Sequence, residues 1–248
     1  MALPIPAVTA ATESEAASTV TVTTNSETAT AVAIPVAEVS TSTVAVMVNE
    51  DGTETVITET KMTENGLVID VPDGATVKIV DNATNFDDVT EEDWENDAVN
   101  FASARGLVNG VGNDSFDLDG TTTRAHVVTL LARMAGVDTT PDEGEEWYEK
   151  GHKWAVENGI TYEGSMSVAV SRQSMFTMIW RMLGCPASDH DIGHFTDTDG
   201  LTQYTQEAAR WAVEIGLIQG NGDGTMDPTG TVTRGQLAQF MMNFIQKI

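Results

Sequence analysis

The chain of 248 residues holds a single cysteine, Cys185, so no intrachain disulfide can staple it. It has no Lys or Arg before Lys61 and no aromatic residue before Phe86, although 5 Trp, 3 Tyr and 7 Phe are present. Basic side chains are scarce throughout, 12 against 38 acids, for a net charge of −26. That field repels nucleic-acid phosphate and anionic membranes, which excludes both as general partners. An acidic polymer could bind only through local, focused positive groups. No apolar run reaches the roughly 18 residues of a membrane span, so no membrane insertion is expected. The start, "MALPIPAVTAATESEAASTV", lacks the basic and apolar regions of a secretory signal, so a chain acting outside the cell would be a mature form or a fragment. Nucleophile-elbow and zinc-protease motifs are missing, and no carboxylate pair stands out for glycoside hydrolysis. No catalytic role, cofactor or metal is expected.

What is present divides sharply in composition near residues 82–85. Residues 1–40, rich in Thr, Ala, Ser, Val and Glu, suit a low-complexity linker or weak strands, with "TVTVTT" alternating as a strand would. Residues 41–82 contain the strand-like runs "TVAVMVN", "TETVITETKM", "LVIDV" and "ATVKIVD". The pairs Asp51-Gly52, Asn65-Gly66 and Asp73-Gly74 separate them and suit tight hairpin turns. A small β-meander with a thin Val/Ile core is expected, serving as a spacer and dispensable for binding.

The rest is helical and repetitive. Over the 19 positions from Gly106 to Arg124, nine are identical to Gly216–Arg234 without a gap. A shortened copy, "WAVENGITYEGSMSVAVSRQS" at 154–174, lies between them. Three copies mean one supersecondary unit used three times. Each has a helix stopped at glycine, with Trp94, Ala98, Phe101 and Ala102 on one face in the first copy and Tyr204, Ala208, Trp211 and Ala212 in the third. A polar loop follows, and then Thr123, Ser171 or Thr233 caps a second helix. In the third copy Leu237, Phe240, Met241, Phe244, Ile245 and Ile248 form a 3.6-residue stripe. No single unit can bury that surface, so the copies should share a core.

The loop "GLIQGNGDGTMDPTGTVTRGQ" (216–236) resembles a calcium turn at first sight. A twelve-residue calcium loop closes on a carboxylate, but counting from Asn221 or Asp223 ends on Val232 or Arg234. No Gly-Lys-Ser/Thr follows for a phosphate cradle, so a structural turn is expected. Cys185, His190 and His194, with Asp189 and Asp191, read as an acidic connector rather than a zinc site. The arginines are more telling. Arg124, Arg172 and Arg234 each occupy the first helical position, where a cation opposes the helix dipole by about 0.3–1 kcal/mol. Two reasons stand level: packing of the guanidinium against a neighbouring repeat, or an anion site combining it with free first-turn amides.

The segment "FDDVTEEDWENDAVNFASARGLVNGVGNDSFDLDGTTTRAHVVTLLARMAG" resembles the surface-layer homology (SLH) module of bacterial surface proteins, and the resemblance extends over 86–248. The segment "ATVKIVDNATNFDDV" also resembles the region before such modules in clostridial surface proteins. The resemblance implies a mainly α protein, a pseudo-threefold, three-pronged helical spindle preceded by the small β segment. Its modules would be 83–140, a degenerate 141–188, and 189–248. It implies an extracellular protein held noncovalently on the cell wall by a pyruvylated secondary wall polysaccharide in grooves between modules. Ligand contacts would then fall on Arg124, Arg172 and Arg234, the Phe-x-Asp acids Asp88 and Asp197, the aromatics Trp94, Trp147 and Tyr204, and the loop glycines Gly110 and Gly220. The motif glutamate is replaced by His126, Ser174 and Gln236, and the middle groove would be structural only. Alternatives are a structural array or adhesin module that self-assembles or binds protein, or the anchor of a larger wall-active enzyme.

Overall fold

The computed structural model describes residues 9–10, 19–23 and 28–248, and what the sequence suggests for the other N-terminal residues lies outside these. The Val-, Ile- and Thr-rich part forms β1 (Thr9–Ala10), β2 (Thr19–Thr21), β3 (Thr30–Pro35), β4 (Thr43–Val48), β5 (Glu54–Val56), β6 (Lys61–Thr63), β7 (Gly66–Val71) and β8 (Thr76–Asp81). Six helices follow: α1 (Asn96–Ala104), α2 (Arg124–Met134), α3 (Glu149–Glu157), α4 (Arg172–Met182), α5 (Gln203–Glu214) and α6 (Arg234–Ile245). The protein is therefore mixed α/β rather than mainly α. No helix among the described residues is long and apolar enough to cross a membrane. Two compact units result, one ending at Phe116 and one running from Asp117 to Ile248.

The strands do not form a meander. They make an antiparallel sheet in the order β1-β2-β8-β4-β5 and a second in the order β3-β7-β6. The run "TETVITETKM" breaks because Thr60 turns the chain from one sheet to the other. Its N–H and Oγ1 both bond the Ile57 carbonyl, at 3.1 and 2.6 Å. Val20, Ala45 and Val77 from one sheet meet Val32, Ile34, Leu67 and Ile69 from the other in one aliphatic core. Each Val, Ile or Leu side chain there contributes about 1.5–3 kcal/mol of burial. Gly66 joins β6 to β7 where a Cβ would lie 2.0 Å from the Ile34 carbonyl oxygen, so no other residue fits.

The outer face of the larger sheet is covered as well. Val44 and Val46 of β4 pack against Ala104 at the end of α1, which explains why "TVAVMV" lacks the apolar–polar alternation of a one-sided strand. Arg105, the next residue, is fully buried. Its Nε donates to the Thr60 carbonyl at 3.0 Å, Nη1 to Thr41 and Phe101 carbonyls at 2.9 and 3.1 Å, and Nη2 to Thr43 at 3.3 Å. The guanidinium also lies 3.5 Å over the Phe101 ring. Burial pulls its pKa down to about 9, and the carbonyl bonds offset that desolvation. The β segment is thus no mere spacer: it supplies the acceptors for a charge carried by the first repeat.

The second unit is locked by a cycle of backbone bonds. Thr122 N–H donates to Val232 C=O at 2.9 Å, Val232 N–H to Val170 C=O at 3.0 Å, and Val170 N–H to Thr122 C=O at 2.9 Å. These are equivalent positions in the three copies, so each contributes one link to a closed ring. The helix starts continue the exchange. Arg124 and Ala125 N–H bond Val168 and Met166, Arg172 and Gln173 bond Gly230 and Pro228, and Arg234 and Gly235 bond Gly120 and Leu118, all at 2.8–3.0 Å. Third amides are met by the capping residues Thr123, Ser171 and Thr233. Helices α1, α3 and α5 end where Gly106, Gly159 and Gly216 take φ of 67°, 68° and 73°.

Candidate functional site

The cycle of exchanged bonds decides the arginine question in part. An anion site needs open first-turn amides, and all three are occupied at α2, α4 and α6, so that version of the site does not exist here. The guanidiniums instead reach across to the next copy, and the residues are only 8, 9 and 7 % exposed for Arg124, Arg172 and Arg234. Arg172 Nε donates to the Met226 carbonyl at 2.9 Å, with its ring partner Phe240 5.3 Å away. Burial lowers the Arg172 pKa, against the pull of Asp227 and Asp197. Arg234 runs beside Gly120, where an added Cβ would stand 2.9 Å from its Cδ. Packing against a neighbour is therefore real for all three.

The Phe-x-Asp acids are loop clamps. Asp88 accepts from Ser115 Oγ at 2.6 Å and from Phe116 N–H at 2.7 Å. Asp197 accepts from Met226 and Asp227 N–H at 2.9 and 2.8 Å. The loop glycines make room for the aromatic of the same motif. A Cβ on Gly110 would lie 2.6 Å from the Phe86 ring, and one on Gly220 2.5 Å from the Phe195 ring. Asp223 accepts from Thr225 N–H at 2.9 Å and Thr225 Oγ1 at 2.6 Å, bonds that hold its carboxyl below the ordinary value. No group of three or more His, Cys, Asp or Glu poised for a metal occurs among the described residues. Trp94 lies 64 % exposed in the turn before α1 rather than on the helix. Trp147 is half-exposed, its ring 5.1 Å from that of His126.

A groove of about 370 Å³ opens between the start of α2, the 161–170 loop, α4 and the start of α5. This is within the usual range for small-molecule sites, about 300–1,000 Å³. Of the residues expected to contact a ligand, it brings together Arg124 and Tyr204. It adds Arg181 and Tyr162, which the sequence reading missed, with hydroxyls from Thr161, Ser174 and others. Arg124 Nε and Nη2 donate to Thr161 Oγ1 at 3.2 and 2.6 Å, Nη2 also bonds the Tyr162 carbonyl, and Cζ lies 3.9 Å over the Tyr162 ring. Arg181 Nε donates to Tyr204 Oη at 2.9 Å and Nη1 to the Ile160 carbonyl at 3.2 Å. Not one Asp or Glu among the described residues lines the groove, although the chain holds 38. One signal was available: Tyr162 stands where the aligned copies have Asn109 and Gln219.

These features define a class of repeat protein in which three helical copies lock through exchanged backbone bonds and leave a cationic groove. The chain matches the family model described as "S-layer homology domain" over residues 85–128 and 194–238. It is 20% identical over 184 residues, 68% of its length, to an exoglucanase XynX from Acetivibrio thermocellus, and 20% identical over 65% of its length to an amylopullulanase from Thermoanaerobacterium thermosulfurigenes. It is 26% identical over 63% of its length to the S-layer protein sap from Bacillus anthracis. The chain spans 17%, 10% and 20% of the length of these relatives. Modules shared by S-layer proteins and surface enzymes imply anchoring at the cell wall, and the matched region is the anchoring part, not a catalytic one.

Proposed function

We propose that the chain holds a surface protein noncovalently on the bacterial cell wall by binding an acidic secondary wall polysaccharide, its acid a pyruvate ketal, between pseudo-threefold modules 83–140, 141–188 and 189–248. The observation that carries this reading is the groove with two guanidiniums and no carboxylate in a chain of net charge −26. A positive recess on so negative a surface focuses the field on an anion, and exposed Tyr162 and Tyr204 offer faces for a sugar ring. The closed backbone cycle supports the threefold arrangement. On this reading the middle copy takes part in binding, its shortened loop forming this groove's wall. Co-sedimentation with purified wall, before and after acid removal of the secondary polysaccharide, tests the proposal. Binding is expected to vanish with the polysaccharide. Binding to stripped wall, or self-assembly without wall, would favour a protein-contact role instead.

A further inference from the structure

The two arginines of the groove are not equivalent consequences of the fold. Arg124 belongs to a position repeated in every copy, whereas Arg181 lies nine residues beyond the repeated arginine of α4. The same position is Asn243 in α6, so the repeat folds without a cation there. In α2 it is Arg133, whose Nε donates to Thr139 Oγ1 at 2.9 Å. Arg181 turns that position toward the groove, where Tyr204 holds its Nε and Ile160 its Nη1. Its Nη2 has no partner among the described residues. Arg124 is similar: Nε and Nη2 are held, and Nη1 faces Gly164, where a Cβ would stand 3.0 Å away. Glycine there keeps that nitrogen reachable. Each guanidinium is thus fixed on a tyrosine, with Cζ 3.9 Å from the Tyr162 ring centre and 5.1 Å from that of Tyr204.

Two prepositioned forks with no acid between them match a ligand with two negative groups, because each fork pairs best with its own carboxylate or phosphate. Resting on the anchoring role above, we propose that Arg181, positioned by Tyr204, is a second anion-recognising residue, so that this groove selects a saccharide segment carrying two negative charges over one carrying a single charge. Tyr162 and Tyr204 give the sugar its stacking faces, and the hydroxyl of Tyr204 orients the second fork.

The test uses the full chain and pyruvylated wall polysaccharide cleaved to fragments bearing one or two acidic groups, with binding read by calorimetry and folding by thermal melting. The unaltered chain is expected to bind the doubly charged fragment at least tenfold more tightly than the singly charged one. Arg181→Gln should remove that preference at unchanged melting temperature, Arg181→Lys should keep only the part that a point charge supplies, and Tyr204→Phe should weaken it two- to threefold. The salt dependence of binding to the doubly charged fragment should become shallower in Arg181→Gln, a change that a purely structural role would not produce. If Arg181→Gln keeps the preference while Arg124→Gln loses binding, the second anion point is overturned and the anchoring role stands. Equal losses in Arg181→Gln and Arg181→Lys with a lowered melting temperature would make Arg181 a structural tie and overturn it too. Binding unchanged in both Gln variants would remove the groove from the anchoring role altogether.

Discussion

The third copy and the middle copy do the same work with different loops. The third builds its loop around Phe195, Asp197 and Gly220, with Asp197 clamping two backbone amides and the glycine lying under the phenylalanine ring. The middle copy lacks all three, yet Val168 and Met166 present their carbonyls to α2 just as Gly230 and Pro228 present theirs to α4. What the ring of copies requires is therefore narrow: two carbonyls for the next helix and one link in the backbone cycle. Everything else in the loop can change. In the middle copy it changed into Tyr162 and a groove wall.

The sharpest break in that comparison concerns the residue before each helix-ending glycine, which is Arg105, Asn158 or Ile215. Arg105→Gln should destabilise the first compact unit by more than about 3 kcal/mol, because it leaves buried carbonyls short of donors. Asn158→Ala, at an exposed site, should change stability by less than about 0.5 kcal/mol. Denaturant unfolding of both variants measures this. Deleting residues 1–82 strands the same guanidinium, so α1 should lose its helical signal.

Next in size is the glycine under the ring. Gly220→Ala forces a Cβ to within 2.5 Å of Phe195 and 2.9 Å of the Thr225 carbonyl at a φ of 77°, and should cost about 2–4 kcal/mol. Glu163→Ala, the aligned position of the middle copy, should be neutral within about 0.5 kcal/mol. A comparable loss at both positions would show that the middle loop is as constrained as the third.

The backbone cycle itself offers a stabilising change. Its three positions are Thr122, Val170 and Val232, and the Thr122 hydroxyl is buried with no partner among the described residues. Thr122→Val keeps the shape and removes an unsatisfied hydroxyl, so stability should rise by about 1 kcal/mol. A melting temperature that falls would mean the hydroxyl is satisfied in solution.

The smallest effect separates the caps by pH. His126 Nδ1 accepts the Thr123 N–H at 3.0 Å, which only the neutral imidazole can do, while Gln236 Oε1 accepts from Thr233 at 3.2 Å in the third copy. Burial, with Arg234 nearby, holds the imidazole below its ordinary value. An unfolded histidine titrates near about 6.5. The cap's contribution is therefore complete above that pH and is lost as pH falls through the lower folded pKa. His126→Gln should flatten the profile in that acid window, by about 1 kcal/mol at most.

The repeats, the capped second helices and the glycine stops were legible because they depend on local chemistry: a 3.6-residue stripe, a side-chain oxygen three residues before an amide, a left-handed turn. The family resemblance was legible for the same reason, since its motif residues are those turns and caps. Strand segments could be read, but their partners could not, because alternation says which face a residue takes and not which strand lies beside it. β4 pairs with β5 as a hairpin arm would, yet it also pairs with the distant β8 and is buried on both faces. The groove was hidden more deeply. Arg124 and Tyr204 belong to different copies, Arg181 recurs only as Arg133 of the first copy, and Tyr162 follows no repeated pattern, so the packing of the copies on one another is what brings them to one cavity. Sequence determined the helices, their ends and the positions of the repeated arginines. Tertiary structure buried all three of those arginines and brought Arg124 to a groove beside Arg181, because the surroundings of each depend on what the neighbouring copy places across from it.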